Sequence, residues 1–178
     1  MYDDSKENTY FSWYLDELKK AGYISEWIYE PKSYNLFDPI KRIDIKKNKE
    51  IERKLLGAHS YTPDFGIIWN ESAYDIFTRE IKELLPSRIN NPFFRQGNRS
   101  VIEVKPIFDR NNMIRLFSIN QRWVYQKIGR YVQLIVPEKL FKDTFTPLKY
   151  LFTDSGRQPR KIKFTTVGLT YYVSERSV

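Results

Sequence analysis

The sequence predicts an α/β fold, a mixed central sheet flanked by helices. Three observations carry that expectation. Residues 61–69 and 100–107 are apolar enough to be central strands. Residues 131–136 form a third, nearly all-apolar run, as a buried strand requires. Stretches with helical spacing precede the first run and separate the second from the third, the pattern of helices packed on a sheet. With 178 residues, 41% hydrophobic and 16% aromatic, the chain can bury a core of its own.

Taken in order, residues 5–21 read as a helix. Ser5 is the N-cap, Phe11, Tyr14, Leu15 and Leu18 recur on one face, and Gly22 stops it. Residues 24–34, aromatic and β-branched, read as extended. Residues 41–56 are dense in charge, with seven basic and three acidic side chains between 41 and 54, and leave the element type open. Residues 61–69 form a strand with Pro63 near its start. Residues 70–99 show no single pattern; a short helix near 77–85 and a loop holding Pro86 and Pro92 are expected. Residues 100–107 form a second core strand that Pro106 ends or confines to an edge. Phe117, Trp123, Val124 and Ile128 place a helix over 117–128, ending at Gly129. After the strand at 131–136, Pro137 and Glu138 open a short helix through 141. No repeat or linker divides the chain. A single domain over 1–178 is expected, with its core at about 5–140 and a basic extension at 141–178.

Composition excludes several chemistries. The chain has no cysteine, so disulfide frameworks and thiolate metal sites are ruled out within it. Its one histidine, His59, excludes a multi-histidine zinc site and reads as a hydrogen-bonded loop residue. The start, MYDDSKEN, is unlike a signal peptide, and no apolar run reaches the length of a membrane span. A cytoplasmic location without membrane attachment is expected. The net charge of +8 is uneven: residues 1–40 carry four basic and eight acidic side chains, −4, which leaves +12 on the remainder. That excess fits a polyanionic partner, as does the stretch 110–130, with five basic residues, no acid and interleaved Tyr and Trp. A second basic run occupies 157–163.

The chemistry centres on Pro63-Asp64 and on Glu103-Val104-Lys105. Side chains alternate along a strand, so Glu103 and Lys105 share a face. Asp64 reaches the same face if the two strands are neighbours. Two carboxylates and an ammonium can run phosphodiester hydrolysis. The carboxylates, with the Val104 carbonyl, suit Mg²⁺, a hard cation for which Mn²⁺ substitutes. Lys105 can position the attacking water and stabilise developing charge. Without this chemistry the same residues are a turn carboxylate and an ordinary surface strand. Yet polar groups among Phe65, Ile67, Ile68, Val101 and Ile102 need a reason, because unpaired burial is costly.

These residues, in this order of elements, resemble the PD-(D/E)XK nuclease superfamily over roughly residues 5–140. The resemblance implies a restriction-endonuclease-like αβββαβ core and a metal-dependent DNA endonuclease with Asp64, Glu103 and Lys105 as catalytic residues. Within it, Ser5-Lys6-Glu7, Ala21-Gly22-Tyr23-Ile24 and Tyr61-Thr62-Pro63-Asp64-Phe65 resemble small phage endonucleases related to Holliday-junction resolvases. Branched recombination or replication intermediates are the implied substrate, in a bacterial or phage-infected cell. Glu7 takes the place of a catalytic helical acid in that resemblance, displaced by one position; otherwise it is a first-turn acid on the helix dipole. Gln121 and Tyr125, four apart on a helix, resemble the Q-x-x-x-Y element of the RecB-type branch. Arg115, Arg122, Lys127 and Arg130 are the expected backbone contacts to DNA. Resolvases are usually dimers, which makes a homodimer part of the same expectation. Two other readings stand beside this one. Val104-Lys105-Pro106 also matches TnsA-type transposon-end endonucleases, and a non-catalytic nucleic-acid-binding module would keep the basic surface alone.

Overall fold

A computed structural model describes residues 5–82, 91–108 and 113–176. Along the chain run helix α1 (Lys6–Lys20) and strands β1 (Ile24–Tyr29), β2 (Tyr34–Phe37), β3 (Ile40–Lys46), β4 (Lys49–Leu56), β5 (His59–Tyr61) and β6 (Phe65–Trp69). Next come a 3₁₀ turn (Glu71–Ala73), β7 (Thr78–Glu80), β8 (Phe93–Arg95), β9 (Arg99–Val104), α2 (Met113–Ile128) and β10 (Val132–Ile135). The last elements are α3 (Pro137–Asp143), a second 3₁₀ turn (Leu148–Leu151) and α4 (Leu169–Ser174).

The central sheet has four strands in the order β1-β6-β9-β10. β6 pairs antiparallel with β1 and β9, while β10 lies parallel to β9. Parallel neighbours need a crossover, and α2 is that crossover. The sheet is therefore mixed and carries helices, as the apolar runs imply. Its two faces bury different sets. One face holds Phe65, Ile67, Ile102 and Val104 against Phe11, Tyr14, Leu15 and Leu18 of α1. The other holds Val132 against Phe117 and Val124 of α2, with Leu36 and Tyr61 of the separate β2–β5 pair joining the same cluster. α1 starts where expected, since the Ser5 hydroxyl accepts the Asn8 N–H at 3.2 Å.

Four segments differ from the sequence expectation. Residues 24–34 are not one extended stretch: Glu30 takes a positive φ of 43° ahead of Pro31, and the chain leaves the central sheet for β2. Residues 61–69 are likewise two strands. Pro63 has no N–H for a ladder, so β5 pairs with β2 while β6 joins the central sheet. Asp64 sits in the bend between them. In place of a helix from residue 77, Thr78–Glu80 is a strand parallel to β8, and Phe77 and Thr78 are fully buried. Residues 83–85 and Pro86 lie outside the described residues. The second core strand, expected over 100–107, spans Arg99–Val104, and the ambiguous 41–56 is a hairpin of β3 and β4.

The segment after residue 140 is built into the core. Phe141, Phe145, Tyr150 and Tyr172 join the α1 side of the sheet. Tyr14 stacks on Phe145 at 4.2 Å and donates its hydroxyl to Thr144 at 3.1 Å. Arg160 donates to the Tyr150 carbonyl, the Tyr10 hydroxyl and Asp154 at 3.0, 3.1 and 2.7 Å. The basic run at 157–163 thus spends one cation on holding the C-terminal segment to α1. Among the described residues no helix is long and apolar enough to cross a membrane.

Candidate active site

The register of β6 on β9 pairs Phe65 with Ile102, which sets Asp64 opposite Glu103. The Val104 N–H donates to Asp64 Oδ2 at 2.7 Å. In an antiparallel pair the N–H and C=O of one residue leave the strand on the same side. The Val104 carbonyl accordingly points toward the Asp64 strand as well. Lys105 follows β9 but continues its ladder, donating its N–H to the Ile135 carbonyl at 3.0 Å. That extra bond keeps the alternation in phase. Lys105 Nζ lies 2.6 Å from Glu103 Oε1, and both side chains are almost covered. The expected convergence of Asp64, Glu103 and Lys105 is present.

Tyr61, without a role in the sequence reading, completes the cluster. Its hydroxyl donates to Glu103 Oε2 at 2.5 Å. Both Glu103 oxygens are thereby held, one by an ammonium and one by a phenol. Burial and the neighbouring Glu103 carboxylate push the Tyr61 hydroxyl well above the usual phenol range, so it stays a donor. Its signal in the sequence is the spacing Tyr61-Thr62-Pro63-Asp64, a bend between β5 and β6 that leaves Tyr61 close to the Asp64–Glu103 pair. Glu30 is the other omission. Its N–H donates to the Asp64 carbonyl at 2.8 Å, and its charge adds to the field on Asp64. A non-glycine residue at φ 43° is costly, and such positions cluster at functional sites. Nothing in a Glu-Pro step announces it.

Electrostatics set the character of the cluster. Asp64 is pushed up to about 6, first by burial and then by the Glu103 carboxylate. The Val104 N–H and Lys105 pull in the opposite direction without cancelling it. A buried carboxylate, Glu103, and a half-buried one, Asp64, share one lysine, so the cluster carries excess negative charge when ionised. Among the described residues no three His, Cys, Asp or Glu form a metal-holding group. Glu7, half-buried in the first turn of α1, therefore does not make a three-carboxylate set with Asp64 and Glu103.

No family model, no curated protein and no solved structure matches the chain.

The remaining candidates lie on or beside α2. The Gln121 side-chain amide donates to the Val132 carbonyl at 2.6 Å, tying helix to strand two residues short of Leu134, the partner of Glu103. Gln121 and Tyr125 line an open groove of about 580 Å³ with Ile81, Arg122, Gln126 and Tyr131. Arg115 and Arg122, seven apart, share an exposed face of the helix. Lys127 falls on another side, its ammonium 3.9 Å over the Phe37 ring. Arg130 follows the helix and acts on Tyr34. The four cations are thus distributed around α2 and do not form one stripe; Arg110 lies outside the described residues. His59 bonds Asn120 at 2.9 Å and meets the Trp123 ring edge-on, so it fastens β5 to α2.

Proposed function

We propose that the chain is a metal-dependent endonuclease that hydrolyses phosphodiester bonds in DNA. The observation that carries this reading is the convergence of Asp64, Glu103 and Lys105 from adjacent antiparallel strands. The donor set fits a divalent cation: one buried and one half-buried carboxylate with excess negative charge and a carbonyl, all hard oxygen ligands. Asp64, Glu103 and the Val104 carbonyl would hold Mg²⁺, or Mn²⁺ in its place. Such an ion, when bound, lowers the pKa of its water and offsets charge on the scissile phosphate.

The protein groups do the rest. The Val104 N–H fixes one Asp64 oxygen, and the Tyr61 hydroxyl fixes one Glu103 oxygen. Lys105 is oriented by Glu103 and presents a compact positive charge where negative charge develops on the phosphoryl oxygens. Arg115 and Arg122 on α2 supply contacts to the DNA backbone, with Lys127 and Arg130 around the helix, and Tyr125 offers a ring for stacking. Branched DNA as the substrate, a homodimer as the working form and a cytoplasmic setting belong to this proposal through the resemblance to resolvase-like endonucleases.

A panel of labelled junction, flap, nicked and linear DNAs, incubated with Mg²⁺ beside Asp64→Ala, tests it. Cleavage by the wild type, absent in Asp64→Ala and in EDTA while binding persists, is expected. Full cleavage in EDTA sinks the metal mechanism. Binding without cleavage of any DNA leaves the non-catalytic module as the better reading.

A further inference from the structure

The β3–β4 ribbon stands apart from both cores. Every residue in it is exposed except Asp44, which is intermediate. Its register sorts the side chains onto two unlike faces. Lys41/Lys54, Ile43/Glu52 and Ile45/Glu50 pair across the strands on one face. Arg42/Arg53, Asp44/Ile51 and Lys46/Lys49 pair on the other. The first face is neutral, two lysines against two glutamates, with Lys41 bonded to Glu52 at 2.8 Å. The second sets four cations against one acid.

That acid has a structural job. Asp44 lies 3.2 Å from the Arg42 Nε and 3.1 Å from the Arg53 Nε, so both guanidinium groups are held on one face. The arginine pair and the lysine pair each place like charges directly opposite, which weakens an isolated hairpin. The turn adds a fifth cation. Lys47 and Asn48 both have positive φ, 51° and 57°, as a two-residue hairpin turn of this hand demands. Glycine, asparagine or aspartate fits the first position more easily than lysine does. The ribbon accepts strain and repulsion and in return presents positive charge at its far end.

We propose that the Arg42–Arg53–Lys46–Lys49 face docks duplex DNA by entering the major groove. The inference goes beyond the active-site reading, because the ribbon can hold a duplex whether or not Asp64 and Glu103 cleave it. The dimensions agree with the charge. Two strands about 4.8 Å apart make a ribbon that the roughly 12 Å major groove admits. Four residues along β3 separate the arginine pair from the lysine pair, about 13 Å at about 3.3 Å per residue. The two pairs can therefore meet separate phosphates spaced along the groove. Duplex RNA is a worse fit, since its major groove is deep and narrow.

The test uses the full chain in EDTA, so that no cleavage is needed and a failure of the nuclease reading does not affect it. Anisotropy of a labelled DNA duplex is measured against salt for the wild type, for Arg42→Gln/Arg53→Gln/Lys46→Gln/Lys49→Gln, and for Lys41→Gln/Lys54→Gln. The basic-face variant should lose about 0.9 from the log–log salt slope for each phosphate contact removed, roughly three to four in all. The neutral-face variant should stay near wild type. Equal losses in the two variants, or none in either, overturn the proposal. A second readout leaves the charges intact. The chain has no cysteine, so Ile51→Cys and Ile43→Cys each carry a single environment-sensitive dye, one per face. Duplex DNA should shift emission at position 51 and leave 43 near its starting value. An equal response at both positions overturns the facial assignment. A response at 51 to duplex RNA or to polyglutamate as large as that to DNA overturns the groove assignment in favour of general polyanion binding.

Discussion

Two lysine–glutamate pairs in this molecule have nearly the same length and opposite surroundings. Lys105 and Glu103 meet at 2.6 Å with side chains 14% and 10% exposed. Lys41 and Glu52 meet at 2.8 Å with side chains 53% and 61% exposed. Distance does not separate them; solvent does. Water and salt screen the ribbon pair, whose worth falls in the range of about 0–1 kcal/mol typical of surface pairs. The buried pair has lost its hydration, so each partner depends on the other and on the groups around it. The same two residue types therefore make a solvated pair in one place and a desolvated, mutually dependent pair in the other.

Lys105 should show the largest effect. If it stabilises the transition state, Lys105→Ala lowers single-turnover cleavage by a hundredfold or more, about 3 kcal/mol, with little change in DNA affinity. Lys105→Arg should not restore the rate, because a planar fork replaces a point charge. An Ala variant that cuts at the wild-type rate would make Lys105 as inert as Lys41 and remove the contrast. Tyr61→Phe comes next. It deletes a hydrogen bond to a buried carboxylate, the kind worth about 1.5–3 kcal/mol, and should lower the urea midpoint of unfolding by a matching amount. An unchanged midpoint would mean that Glu103 is solvated after all.

A change is also expected from pH. In metal-free protein Asp64 titrates at about 6, raised from an ordinary value of 3.8. A raised carboxyl binds its proton more firmly when folded. Its contribution to stability is complete below about pH 4 and disappears as pH rises through about 6. Asp64→Asn should flatten that part of the stability–pH curve in EDTA, read by urea melts across the window. A slope of equal size in the variant would assign the proton elsewhere. Least affected should be the ribbon: a double-mutant cycle on Lys41 and Glu52 should return a coupling of about 0–1 kcal/mol. A coupling as large as that of a buried pair would show that exposure misjudges this hairpin.

Legibility in the sequence followed the range of the interactions. Glu103 and Lys105 were readable because a period of two is local. The central strands were readable because their apolar runs reflect burial on both faces. Tyr61 escaped because its partner is 42 residues away, and Glu30 because its closeness to Asp64 depends on a rare backbone conformation. β7 looked helical because its pairing with β8 is tertiary, and that pairing overrides local preference. The ribbon hid its strands for a different reason. Ile43 and Ile45 lie on one face and Ile51 on the other, so no buried side imposes a hydrophobic alternation. The C-terminal segment read as an extension because its aromatic residues, Phe145, Tyr150 and Tyr172, are separated by polar stretches and join the core through distant partners on α1 and around Phe77.

The stacking of Tyr14 on Phe145 also has a meaning in time. The hydroxyl of Tyr14 waits for Thr144, 130 residues further along the chain. At ~5–20 residues per second of synthesis, the wait is on the order of ten seconds. Until then Phe11, Tyr14, Leu15 and Leu18, the buried face of α1 in the folded protein, lack the part of their cover that Phe141 and Phe145 supply. The contact between α1 and the segment around Phe145 therefore joins two parts of the core that are synthesised far apart in time.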